Sequence, residues 1–254
     1  MKKIISLLLV VCCLLLCLTS CANPETLVTE AMANTQALDA YEAELKMDIT
    51  MTVGDEEIEM PIVMDMKIKG ATTDHPVVYM KSTVEMMGEK VESEIYMDSE
   101  WVYMLQDGVG YKMSVDDAGE DGDVSDTLDD MFQDMPESVY EDVKAVKNGD
   151  GSKTVSLSIP DSMFEEVFSE VIESMKDSIA QGVQVSDVIV SNAKVNITVK
   201  DKYISAYEIM FDMAMQISGV GVTATAKETL TIKNMGDTVT VTPMQGYQSY
   251  TEIS

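Results

Sequence analysis

From Ala43 to Val53 every second residue is apolar. Ala43, Leu45, Met47, Ile49, Met51 and Val53 alternate with Glu44, Lys46, Asp48, Thr50 and Thr52. An extended chain places such residues on opposite faces, so this is a strand with one greasy and one wet side. Gly54-Asp55 turns the chain, and Ile58, Met60, Ile62, Met64, Met66 and Ile68 then repeat the pattern. Pro61 lies on the other face; it cannot donate to a ladder, which marks an edge or bulge position. Shorter strands follow over Val77–Met86, Val91–Met97, Trp101–Leu105 and Tyr111–Val115, separated by turn sequences such as Asp107-Gly108. Strands of a dozen residues joined as hairpins make a large antiparallel sheet, and such a sheet must twist and curl.

Two helical stretches interrupt the strands. Asn23-Pro24-Glu25 opens the first: Asn suits the N-cap, Pro the first helical position and Glu the positive end of the dipole. The second runs from Ser162 to Gln181. Ser162 and Glu165 form a capping box, Phe164, Val167, Phe168, Val171, Ile172, Met175 and Ile179 form a wide apolar stripe, and Gly182 suits the stop. Shorter helices or turns are predicted over 128–135 and 138–146, with a strand over 153–159 after Asn148-Gly149-Asp150-Gly151. The last third returns to alternation. Val195, Ile197 and Val199 share a face, as do Tyr207, Ile209, Phe211, Met213, Met215 and Ile217. Val222, Ala224, Ala226, Leu230 and Ile232 make another, and Val239 and Val241 a last short strand. A sheet with one apolar face needs cover, and the middle helices are the available cover.

The first twenty residues are of another kind. Lys2 and Lys3 precede an apolar run from Ile4 to Leu18, broken only by Ser6. Fifteen helical residues span about 22 Å, short of the roughly 30 Å hydrocarbon core, so the run reads as a secretory leader and not a membrane span. Leu18-Thr19-Ser20-Cys21 resembles the lipobox of bacterial lipoproteins. That resemblance implies cleavage before Cys21, a diacylglyceryl (palmitate-type) thioether on Cys21, and a chain tethered to the outer face of the cytoplasmic membrane. The expected organisation is a leader over 1–20 and one domain over 21–254.

Composition narrows the function. The four cysteines are Cys12, Cys13, Cys17 and Cys21, so a chain starting at Cys21 has neither a disulfide nor a thiolate cluster. The formal net charge is −28, which repels nucleic acid and anionic headgroups and favours cationic partners and loosely held divalent ions. There is no arginine, hence no bidentate clamp for phosphate. His75, the sole histidine, lies in the turn Thr73-Asp74-His75-Pro76 and reads as a surface residue. No catalytic group, cofactor or zinc site emerges, and the protein reads as a non-enzyme. The acidic stretch Asp116, Asp117, Glu120, Asp121, Asp123, Asp126 offers oxygens to weakly bound calcium. It fails the EF-hand pattern, with Asp126 where Gly is required and Phe132 where the closing Glu belongs. Met60, Met64 and Met66 are soft ligands of the Cu(I) type, but they sit on an apolar strand face, where packing explains them.

The layout resembles the LolA/LppX-like envelope lipoproteins, and within them a group of Gram-positive lipoproteins with no assigned activity. The residues that carry the likeness are Leu18–Cys21, the N-terminal helix leading into Tyr41–Val53, and the ladder Val78-Tyr79-Met80-Lys81, Ile95-Tyr96-Met97-Asp98, Trp101-Val102-Tyr103-Met104 and Gly110-Tyr111-Lys112-Met113. The resemblance implies an α+β fold: a strongly curved antiparallel half-barrel whose concave apolar face is covered by helices. It also implies a lipid-like ligand between sheet and helix, lined by Met47, Met51, Met60, Met64 and Met213 on strands and Phe164, Phe168 and Ile172 on the Ser162–Gln181 helix. The competing expectation is a structural or interaction lipoprotein of the envelope whose core is filled.

Overall fold

The computed structural model describes residues 23–73, 75–86, 88–118, 141–158, 160 and 185–253. The expected leader with Cys21, the acidic residues from Glu120 onward, and the helices expected over 128–135 and 162–181, with Phe164, Phe168 and Ile172, lie outside them.

The chain begins with helix α1, Pro24–Gln36. Asn23 caps it as its sequence suggests, with its side-chain oxygen accepting from the Glu25 N–H at 3.3 Å. The long hairpin follows as β1 (Ala40–Val53) and β2 (Glu56–Lys69). Its register pairs Leu45 with Met64, Ile49 with Met60 and Met51 with Ile58, so the two apolar rows share one face. A meander continues through β3 (Val77–Met86), β4 (Glu89–Met97), β5 (Trp101–Gln106) and β6 (Val109–Ser114). One helical turn, α2 (Val115–Ala118), then takes in Asp116 and Asp117. Pairing of β2 with β3 stops at Ile62 and Val84, one residue before Pro61. The proline thus sits where β2 has no neighbour on that side, the local edge its missing N–H demands.

The second meander comprises β7 (Glu141–Lys147), β8 (Lys153–Ser158), β9 (Val185–Lys200), β10 (Tyr203–Ile217) and β11 (Val220–Met235). β1 and β11 pair antiparallel over their whole length, Tyr41 with Met235 through Val53 with Val222, and fuse the two meanders. Among the described residues the result is one open sheet of twelve strands, in the order β12-β6-β5-β4-β3-β2-β1-β11-β10-β9-β8-β7, where β12 is the two-residue strand Thr251–Glu252.

The sheet is curved. Laid flat, β3 and β7 would stand seven spacings, or roughly 34 Å, apart. Yet α1, about 20 Å long, touches β7, β9 and β10 and shares a cavity with Val78 of β3. The strands therefore bend around the helix. The main core lies on this inner face: Ala31 of α1 packs among Tyr41, Ala43, Met66, Ile68, Val78, Leu157, Val195, Ile197, Ile204, Tyr207 and Leu230.

Three expectations change. The segment 138–146, expected as a turn or helix, contributes the edge strand β7. Tyr140, Val143 and Val146 are spaced as on a helix, but pairing with β8 decides the conformation and leaves Val146 60% exposed. Val239 and Val241 form no strand. After a short 3-10 turn at Gly236–Thr238 the chain crosses the sheet, and the last strand is Thr251–Glu252, parallel to β6. Finally, the sheet is apolar on both sides at one end. Tyr79, Tyr96 and Tyr103 stand opposite one another on β3, β4 and β5. They face away from α1, because their neighbours Val78, Met97 and Val102 continue the inner row that includes Ile68. Val241, Met244, Tyr247 and Tyr250 of the C-terminal segment cover them in a second core. Ring centroids of Tyr103 and Tyr247 lie 4.8 Å apart, edge to face. Gly110 of β6 makes room for this cover: a Cβ there would run into the Tyr250 ring.

Candidate functional site

The inner face of β1, β2, β10 and β11 is a strip of paired apolar rows. Reading from α1 outward, the rows are Ala43-Met66-Ile232, Leu45-Met64-Leu230-Tyr207, Met47-Ile62-Glu228-Ile209, Ile49-Met60-Ala226-Phe211 and Met51-Ile58-Ala224-Met213. Near the helix the strip is tightly buried, with Ala43, Ile68, Leu230 and Tyr207 all in the core. Farther out, Met47, Met51, Met60, Met64, Phe211 and Met213 are half-buried. The five strand methionines expected to line a pocket therefore do share one face, spread over four adjacent rows. Their expected partners Phe164, Phe168 and Ile172 fall outside the described residues.

α1 is held over the strip by its polar residues. Ile204 sits at a register shift in the pairing of β9 and β10. Its N–H donates to Thr35 Oγ1 at 2.9 Å, and the Thr35 hydroxyl donates to the Ala31 carbonyl at 2.8 Å. Asn34 Nδ2 donates to the Lys202 carbonyl in the β9–β10 turn at 3.1 Å. Between this helix and the sheet lies a cavity of about 110 Å³, lined by residues including Met32, Leu38, Tyr41, Ile68, Leu230 and Ile232. None of the five expected strand methionines lines it. It is smaller than the roughly 300–1,000 Å³ of ordinary ligand pockets and nearer the size that admits one benzene-like group.

Within these five rows one side chain is a carboxylic acid. Glu228 of β11 lies between Met47 of β1 and Ile209 of β10, with Ala226 and Leu230 two residues away along its own strand. It is only 9% exposed. Its Oε1 has no hydrogen-bond partner, and among the described residues the Tyr250 hydroxyl is the only other buried side-chain polar atom in that state. Burial pushes the Glu228 carboxyl above the usual range. The lysines nearby in sequence point to the outer face and are engaged there: Lys227 with Glu208 at 2.8 Å, Lys46 with Glu44 at 2.8 Å, and Lys233 with both Glu44 and Asp65 at 2.9 Å. The sequence did carry a sign of this residue. In the series Val222, Ala224, Ala226, Leu230, Ile232, Glu228 occupies the one skipped even position.

The remaining candidates separate from this strip. His75 is exposed in its turn. Met60, Met64 and Met66 lie along one strand face in apolar rows, as packing requires. Asp116 and Asp117 stand in α2, and the rest of the acidic stretch lies beyond the described residues. Among the described residues no group of three or more His, Cys, Asp or Glu is placed to hold a metal ion, and no helix is long and apolar enough to cross a membrane.

Comparison with known proteins gives a family and a distant structural likeness. No curated protein matches the chain. The crystal structure of LprF from Mycobacterium bovis aligns over 87% of this chain and 96% of its own, at 11% identity and a TM-score of 0.40. The model of a family of unknown function, DUF6612, matches residues 23–242, and the protein belongs to that family.

Proposed function

We propose that this protein is an extracytoplasmic lipoprotein, tethered through lipid on Cys21 to the outer face of the cytoplasmic membrane, that binds an apolar, lipid-like ligand in the hollow of its sheet. The observation that carries this reading is the half-buried methionine strip of β1, β2 and β10, which shares the Leu45-Met64-Leu230 row with the lining of the cavity under α1. Thioether side chains repack around varied apolar shapes, and a curved open sheet with a helix in its hollow is the half-barrel that the LolA/LppX resemblance implies. In this reading the action is binding, and the sole histidine, His75, is an exposed turn residue. Two lipid chains on Cys21 would hold the domain at the membrane without a spanning helix.

A cavity of about 110 Å³ also supports the second reading, an envelope interaction module with a filled core. Native mass spectrometry of gently purified protein separates the two. A lipid-sized adduct, or uptake of a neutral long-chain alcohol, supports the ligand-binding reading. A bare mass with no uptake overturns it. The anchor is tested by Cys21→Ala, which should move the protein from the membrane fraction to the medium; a variant that stays membrane-bound refutes lipid tethering.

A further inference from the structure

We propose that Glu228 recognises the head group of the bound molecule, and that this molecule is an amphiphilic amine: an apolar chain ending in a protonated nitrogen. The inference rests on the ligand-binding reading above and deepens it. Glu228 is placed where a head group would sit. It is one same-face position from Leu230, which lines the cavity, about 7 Å along the strand. In the other direction the small side chains of Ala226 and Ala224 stand between the larger Phe211 and Ile49 and between Met213 and Met51. An acyl-length chain laid on those rows brings its polar end to the carboxyl.

The chemistry of the site selects the charge. A carboxyl buried without a partner is costly unless something pairs with it. The strands beside it, β1, β2, β10 and β11, put no lysine on this face. The titratable side chains they do put there are Tyr207 and Tyr41 toward α1 and Glu56 at the far end of β2; none carries positive charge. A fatty acid or a phosphate head group would meet a carboxylate inside a protein of net charge −28, without an arginine or an inner-face lysine beside it. An ammonium would supply the missing counter-ion and the missing hydrogen-bond donors together, in surroundings dry enough to make the pair strong. The overall charge also draws such a cation toward the hollow.

Three probes with the same chain make the test: dodecylamine, dodecanol and dodecanoic acid, titrated by calorimetry into the protein and into Glu228→Gln. Wild type should bind dodecylamine at least tenfold more tightly than dodecanol, and dodecanoic acid most weakly. Glu228→Gln should abolish the amine preference, bringing dodecylamine to within about twofold of dodecanol in the same variant. Glu59→Gln, which removes the same charge from an exposed outer-face position, should leave the preference intact. Equal affinity of wild type for amine and alcohol, a preference for the acid, or an amine preference that survives in Glu228→Gln overturns the proposal while the apolar site stands. Failure of all three probes to bind overturns the ligand-binding reading as well.

Discussion

Thr35 ties the helix to the strip it covers, and replacing it with valine isolates that tie. Valine keeps the shape and similar helix propensity but removes the hydroxyl that accepts from Ile204 N–H and donates to the Ala31 carbonyl. Ile204 is 1% exposed, so water cannot easily replace the lost acceptor. A buried donor left unsatisfied costs about 1–3 kcal/mol; the Ala31 carbonyl loses only a second, supplementary donor. We therefore expect Thr35→Val to lose about 1–3 kcal/mol in urea unfolding with an unchanged m-value, and the Ile204 amide to exchange faster with solvent. Thr35→Ser keeps the hydroxyl and should retain the amide protection. If Thr35→Val unfolds within about 0.3 kcal/mol of wild type and the Ile204 amide stays equally protected, the helix is not held this way, and its seating depends on apolar contact alone.

Glu228→Met should stabilise the protein by about 1–3 kcal/mol at neutral pH, because it removes an unsatisfied buried group, and raise Tm by about 2–4 °C per kcal/mol. The native state holds the Glu228 proton more tightly than the unfolded chain, so its stabilising share is full below the unfolded value of about 4.3 and is lost as pH rises through the elevated native value. Urea midpoints across that range should fall less steeply in the methionine variant; parallel curves would contradict the burial. Gly110→Ala should cost about 1–3 kcal/mol by overpacking and free the C-terminal segment for proteolysis, whereas in a Tyr250→Ala background the same change should be nearly neutral. Asp150 accepts from the Ser152 hydroxyl and N–H and pairs with Lys200, which together hold its carboxyl down at about 2. Its side-chain NMR resonance should titrate there, the turn's contribution being present above the unfolded range and lost only as pH falls through about 2; a midpoint near 4 would mean that the turn hydrogen bonds do not persist in solution.

Much of the sheet was legible because two-residue periodicity reports local geometry directly. The long hairpin, the turn at Gly54-Asp55 and the limits of β3 follow from alternation and turn chemistry alone. Misreadings fell where pattern and pairing disagree. Over 138–146 the apolar spacing is helical, yet the neighbouring edge of β8 captures its described part, from Glu141 on, as β7. Val239-Thr240-Val241 alternates like a strand, but its valines serve as cover for a core already built. Met47, Met51, Met60, Met64 and Met213 share a face because parity puts them there, while the described cavity, which reaches the row of Met64 only at Leu230, lies under a helix assigned no covering role.

The amino-acid order by itself determined the strands, their wet and greasy sides and the helix cap at Asn23, since each depends on residues within a few positions of one another. Only the tertiary structure decided that β1 joins β11, that the chain's end covers a second core on the opposite side, and that one glutamate stands without a counter-charge in an apolar row. Those outcomes arise between residues far apart in the chain. A glutamate on a strand is wet or dry according to which strands flank it, and no local pattern records that.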